Sequence, residues 1–161
     1  MRLEHSDDCA PLKAIMLAGL CGGAAEVAWV ALYAGITGIS GIEVARQVAA
    51  SVFPALALSS AAPLSGVLIH MLLSVALAIA FAATIGRIAR QQFGATALLP
   101  TAVATLAMVW AANFFVVLPA LNPAFVTLMP LGVTLFSKML FGLAMAGVLR
   151  TSTLTQPARS H

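Results

Sequence analysis

Four uninterrupted apolar stretches, each about as long as a helix must be to cross a bilayer, constrain this chain more than any other feature. A helix rises about 1.5 Å per residue, so roughly 20 apolar residues cover the hydrocarbon thickness. The runs 14–34, 64–86, 97–118 and 131–149 all meet that length, and each is bounded by Pro, Gly or Arg. Only 8% of the 161 residues are charged and 61% are hydrophobic. A water-facing surface cannot be built from that supply, since soluble domains carry about 25% charged residues. The expected fold class is all-α: a polytopic membrane protein of four transmembrane helices, with lipid as its principal partner.

The expected organisation is a cytoplasmic tail 1–13, one transmembrane domain 14–150, and a second cytoplasmic tail 151–161. The first run is about twice the length of a signal-peptide core, contains Glu26 and precedes no small-residue cleavage site, so it is expected to remain as a helix. Cys9 and Cys21 fall in the N-terminal tail and the first run, near the reducing side, and imply no disulfide framework.

Orientation follows from Lys and Arg alone. Arg2 and Lys13 precede the first span, Arg87 and Arg90 separate the second from the third, and Arg150 and Arg159 follow the fourth. Arg46 is the one cation on the opposite side, and Lys138 lies within the fourth span. Both termini are therefore expected on the cytoplasmic face of a multi-pass protein. The net charge of +3 resides in these markers, which argues against a nucleic-acid partner.

Between the first two spans, residues 40–53 show helical spacing: Ile42, Ala45, Val48, Ala49 and Val52 recur opposite Glu43, Arg46 and Gln47. Ser40 and Glu43 have capping-box spacing, and Pro54 closes the segment. The pattern predicts a short amphipathic helix on the outer membrane face, the alternative being a lid or re-entrant element over a cavity.

The chain also echoes itself. Val52-Phe53-Pro54-Ala55-Leu56 resembles Val117-Leu118-Pro119-Ala120-Leu121, Pro63-Leu64 resembles Pro130-Leu131, and His70 to Ala78 matches Lys138 to Ala146 at Met, Leu, Ala and Ala. Trp29 and Trp110 hold similar places in spans one and three. The expectation is two pseudo-repeated helical hairpins, the first carrying the amphipathic helix as an insertion.

Four polar groups inside the spans need a reason, because insertion of Arg, Lys or Asp at a helix centre costs about 2.5–3.5 kcal/mol. They are Glu26, His70, Asn113 and Lys138, one per span and all in the outer half. Gly19 and Gly23 share the face of Glu26, Gly142 shares that of Lys138, and Ser74 and Ala78 lie beneath His70. Small residues at those positions let helices approach closely, so these faces are expected to meet one another. In low dielectric Glu26 is expected to pair with Lys138.

Such a layer has three readings. It can be packing glue that fixes helix register. It can be a proton-exchanging or small-solute site. His70 can also ligate haem or metal, although it lacks a second ligand at suitable spacing. In the tail, His5, Asp7, Asp8 and Cys9 form a loose cluster expected to be solvated; no metal or other cofactor is expected. Trp29, Tyr33, Trp110, Phe114 and Phe115 lie toward the outer ends of their spans and read as an aromatic belt. No Walker loop, dinucleotide fingerprint, nucleophile elbow or paired helical histidine occurs, so the chain is not expected to be an enzyme.

The Gly-rich first span, Phe53-Pro54, Ile69-His70-Met71-Leu72-Leu73-Ser74 and Trp110-Ala111-Ala112-Asn113-Phe114-Phe115 together resemble a group of small, uncharacterised bacterial inner-membrane proteins. That resemblance spans most of the chain and implies a bacterial inner-membrane location and the four-span layout, with no activity attached. The function expected from these features is that of a structural or accessory bundle that associates with itself or with a larger membrane complex, the alternative being a small carrier or channel for protons or a solute.

Overall fold

The computed structural model describes residues 12–154, with side chains described through residue 152. The expected cluster at His5, Asp7, Asp8 and Cys9 lies outside these residues, as do Arg2 and Arg159. Within them the protein is helical throughout: α1 (Leu12–Thr37), α2 (Gly41–Val52), α3 (Ala62–Ala83), α4 (Ile85–Phe93), α5 (Leu98–Ala112), α6 (Leu118–Leu121), α7 (Pro123–Val126) and α8 (Leu131–Leu154). Four helical segments are long and apolar enough to cross a membrane: Leu12–Thr37, Ala62–Phe93, Ala95–Leu121 and Leu131–Ser152. Large apolar side chains face outward along them, among them Leu20, Leu68, Leu72, Met108, Val116 and Leu143. Such a surface is stable only against lipid, and the chain is an integral, multi-pass membrane protein.

Helices run beyond the apolar stretches. α1 ends where Gly38 adopts φ 76°, its N–H closing back on the Ala34 carbonyl at 3.0 Å. The second span breaks at Thr84 and continues as α4, which carries Arg87 and Arg90 and stops at Gly94, φ 79°. The arginine-bearing connection is thus a helix in its own right.

The third span is irregular for a chemical reason. Pro119 has no N–H to donate, and its ring would crowd the carbonyl four residues earlier, that of Phe115. The chain widens into a π turn over Asn113–Val117, in which the Leu118 N–H reaches back to the Asn113 carbonyl.

Helix contacts run in the order α3, α1, α8, α5. Each hairpin is closely packed through glycine. A Cβ on Gly19 would lie 2.6 Å from the Val75 Cα, one on Gly23 would lie 2.7 Å from the Ser74 Oγ, and one on Gly142 would lie 3.1 Å from the Val103 Cα. α1 also packs on α8, where Gly22 accommodates the Phe141 ring. α3 and α5 do not pack along one another, and α2 packs against α3 instead. The contacts are therefore unequal between the two hairpins.

The half of the bundle nearest α4 is filled by Ala18, Ala78, Phe81, Leu98, Ala102, Leu106, Phe141, Met145, Ala146 and Leu149. On the α2 side the separation of α3 from α5 is left for other groups to close. α2 does so in part, seated at Gly66, whose Cα–H faces the Ala45 carbonyl so closely that a Cβ would have no room. Ser40 caps this helix, its Oγ accepting from the Glu43 N–H at 3.2 Å. The inward face is rotated from the expected one: Val44, Ala45, Val48 and Ala49 turn toward the bundle, whereas Ile42 is 64% exposed and Val52 44%. Docking of α2 on α3, and not its own amphipathic pattern alone, sets that rotation.

Candidate functional site

Where α3 and α5 diverge, the structure forms a partly open cavity of about 330 Å³. α1 contributes Glu26, Val27 and Val30, α2 contributes Val44 and Val48, and α3 contributes His70 and Ser74. The π turn supplies Asn113 and Phe114, the connection between α5 and α8 supplies Phe125 and Met129, and α8 supplies Thr134, Ser137 and Lys138, with Phe141 at the boundary of the apolar core. All four polar residues singled out in the spans line this one space.

Three of them meet directly. The Lys138 Nζ donates to the Glu26 Oε2 at 2.7 Å, and the His70 Nε2 lies 3.7 Å from the same oxygen. Ser137 donates to the other carboxylate oxygen, Oε1, at 3.0 Å. Glu26 is 4% exposed. Removing a carboxylate from water to that degree is tolerable only when its lone pairs are occupied by donors or a cation, and here both oxygens are. The Lys138 ammonium also lies 5.6 Å from the centre of the Phe141 ring, a second favourable contact for a desolvated cation.

His70 is held from the α1 backbone as well, its Nε2 lying 3.4 Å from the Gly23 carbonyl oxygen. Its neighbour one turn along, Ser74, donates to the His70 carbonyl at 2.8 Å and fits against Gly23. The glycine that lets α1 and α3 touch thus also brings its own carbonyl within reach of the imidazole. Asn113 does not join the ionic cluster. It lines the same cavity, and among the described residues its side-chain amide has no hydrogen-bond partner.

The walls are fixed by tryptophans on the flanking helices. Trp29 on α1 donates to the Val133 carbonyl at 3.1 Å, and Trp110 on α5 donates to the Thr134 Oγ1 at 2.9 Å. Both indoles therefore anchor the first turn of α8, four residues before Ser137 and Lys138. Phe114 departs from the expected belt: it is buried, lines the cavity and stacks on Trp110 at 5.7 Å between centroids. The π turn accounts for this, because it lets the adjacent residues 113 and 114 border the same space. Phe115 is exposed, as a lipid-facing aromatic should be.

The roof is tied by polar bonds. The Asn122 Nδ2 donates to the Gln47 carbonyl at 3.2 Å, to the Gln47 Oε1 at 2.9 Å and to the Ser51 Oγ at 3.1 Å. Arg46 donates to the Ala57 carbonyl at 2.9 Å and pairs with Glu43 at 3.3 Å, so α2 is fastened both to the connection leading into α3 and to the one leading into α8.

Ser137, Gly66 and Asn122 are part of this arrangement without standing out in the sequence. Ser137 had one available signal, a hydroxyl adjacent to Lys138, the lysine inside the fourth span; the other two acquire their roles from packing between distant segments. Comparison of the chain with protein-family models, with curated proteins and with solved structures finds no match.

Proposed function

We propose that this protein is a small-solute carrier whose binding site is the cavity beneath α2. The observation that carries this reading is the convergence of Glu26, His70, Lys138 and Asn113 on one space of about 330 Å³ whose walls are mostly apolar. Ligand sites are commonly of about 300–1,000 Å³, mostly apolar, with a few converging polar groups. Packing glue needs the ion pair but needs no adjoining cavity.

The distribution of cations supports an orientation with both termini cytoplasmic and the cavity in the outer half of the membrane. The resemblance to bacterial inner-membrane proteins supports a bacterial plasma membrane. His70 and Lys138 hold matching positions in the two hairpins and both approach the Glu26 Oε2, which supports an ancestral duplication of the hairpin.

A second reading, an accessory subunit of a membrane complex or a self-associating bundle, is favoured by the pairing of Glu26: Ser137 donates to one of its oxygens and Lys138 to the other, as a purely structural charge requires. Influx into proteoliposomes separates the two. Glycerol, alanine, benzoate and choline are offered at alkaline pH, and entry is followed by light scattering. The carrier reading expects at least one solute to enter faster than into protein-free liposomes. It expects that advantage to vanish in the Glu26→Leu/Lys138→Met double variant and in Val48→Trp, which fills the cavity. Influx equal to that of empty liposomes for every solute removes the carrier reading, and accelerated influx retained in the double variant assigns the polar layer to packing.

A further inference from the structure

We infer that the cavity takes a small, partly apolar monocarboxylate together with one proton. The inference rests on the cavity being a binding site and concerns which ligand it selects.

The charge of the head group follows from which polar atoms are already engaged. Both oxygens of Glu26 are occupied, by Ser137 and by Lys138. Lys138 has three N–H donors and one carboxylate partner. Asn113 adds an amide that is unengaged among the described residues, with two donors and an acceptor. A cationic head would meet the Lys138 ammonium, and the carboxylate beside it, Glu26, is buried and already paired with that ammonium. A carboxylate would accept from Lys138 and from Asn113, in charge-assisted bonds that are stronger than neutral ones. The body of the ligand is specified by the walls: Val27, Val30, Val44, Leu77, Phe114 and Phe125 offer only hydrocarbon.

The proton follows from charge balance. Glu26 and Lys138 cancel, so a carboxylate entering alone would leave one net negative charge in a space surrounded by lipid-embedded helices, where uncompensated charge is expensive. His70 can supply the compensation. Its Nε2 stands between two acceptors, the Gly23 carbonyl at 3.4 Å and the Glu26 Oε2 at 3.7 Å, and is therefore assigned the hydrogen of the neutral ring. Nδ1 is then the basic nitrogen that takes the incoming proton, giving Glu26 and the ligand negative, Lys138 and His70 positive, and a neutral sum. The charged groups facing His70 are Glu26 from α1 and Lys138 from α8. α2, packed on the same helix, sends only Gly41, Val44, Ala45 and Val48 to the cavity, while its Glu43 and Arg46 pair with each other outside it. No further charge is present among the cavity-lining residues to take the role.

Three probes with one ring and different heads test this: benzoate, benzamide and benzylammonium. Each is titrated calorimetrically into the purified full chain in detergent at about pH 8, where a free imidazole is neutral. Two buffers of different ionisation enthalpy report the protons taken up. Benzoate is expected to bind about tenfold or more tightly than either of the others, with uptake approaching one proton. Lys138→Met should abolish that preference. His70→Gln keeps an N–H near the Nε2 position but has no base, and should bind benzoate more weakly with no proton uptake. Should Lys138→Met fail to fold, the wild-type ranking still decides. Benzamide or benzylammonium binding as tightly as benzoate, benzoate binding without proton uptake, or no binding of any probe would overturn the inference. Each of these leaves the carrier reading standing if another solute still enters proteoliposomes faster than empty liposomes; that reading fails only when none does.

Discussion

Lys138 and Glu26, 112 residues apart in the chain, place Nζ and Oε2 2.7 Å from one another between α8 and α1. The contact joins the two helices at the centre of the α3–α1–α8–α5 order, so its loss acts on the whole bundle. Breaking a buried pair on one side strands the remaining charge, at a cost of about 3–5 kcal/mol, whereas replacing both members by apolar groups is often nearly neutral. Lys138→Met alone should therefore lower the unfolding midpoint in mixed detergent markedly. Adding Glu26→Leu should restore most of it. A double variant no more stable than the single one would show that the pair is not coupled as the geometry requires.

That pair was legible in the sequence because two opposite charges in apolar runs have few other ways to be accommodated. The four spans were legible for the same reason: lipid is the one solvent for such stretches. The inward face of α2 was not, since Ile42 and Val44 are equally apolar and the choice between them is made by the glycine at position 66 on another helix. Nor was the π turn: Pro119 announces an irregularity, but the residues that it carries into the cavity depend on how the third span packs. Ser137 was hidden because a serine in a membrane helix more often bonds to its own backbone, as Ser74 does to the His70 carbonyl.

Gly66→Ala tests the seating of α2. The added methyl group would collide with the Ala45 carbonyl, backbone against which no rotamer change can help. α2 must then lift from α3, opening the cavity roof. A cysteine introduced at Val48 should become reactive toward a water-soluble maleimide in the Gly66→Ala background and remain slow otherwise. Gly147→Ala, where a Cβ would meet no atom within 4 Å, is the control and should leave labelling unchanged. Equal labelling in all three backgrounds would show that α2 is not held by this contact.

Asn122→Ala tests the second fastening of the same helix. Its amide bridges Gln47 and Ser51, and losing those bonds should cost about 1–3 kcal/mol locally. Because the bonds join a connection to one surface helix, the loss should appear as faster amide hydrogen exchange in α2 while α1 and α8 keep their protection. Uniformly faster exchange in every helix would mean that Asn122 supports the bundle as a whole.

Membrane orientation offers a test independent of the cavity. Lys13 begins α1, Arg87 and Arg90 lie on α4 and Arg150 lies near the end of α8, so these cations share one end of the bundle, while Arg46 at the other end is bound to the Ala57 carbonyl and to Glu43. Cations near span ends favour retention on the cytoplasmic side, and a single arginine at the other end opposes that bias little. In a bacterial host, green fluorescent protein joined after His161 should fluoresce and alkaline phosphatase at the same point should be inactive. Phosphatase inserted between Ser59 and Ser60, in the connection before α3, should be active. The opposite pattern would place the α2 roof at the cytoplasmic face, and the cavity would then receive its ligand from inside the cell.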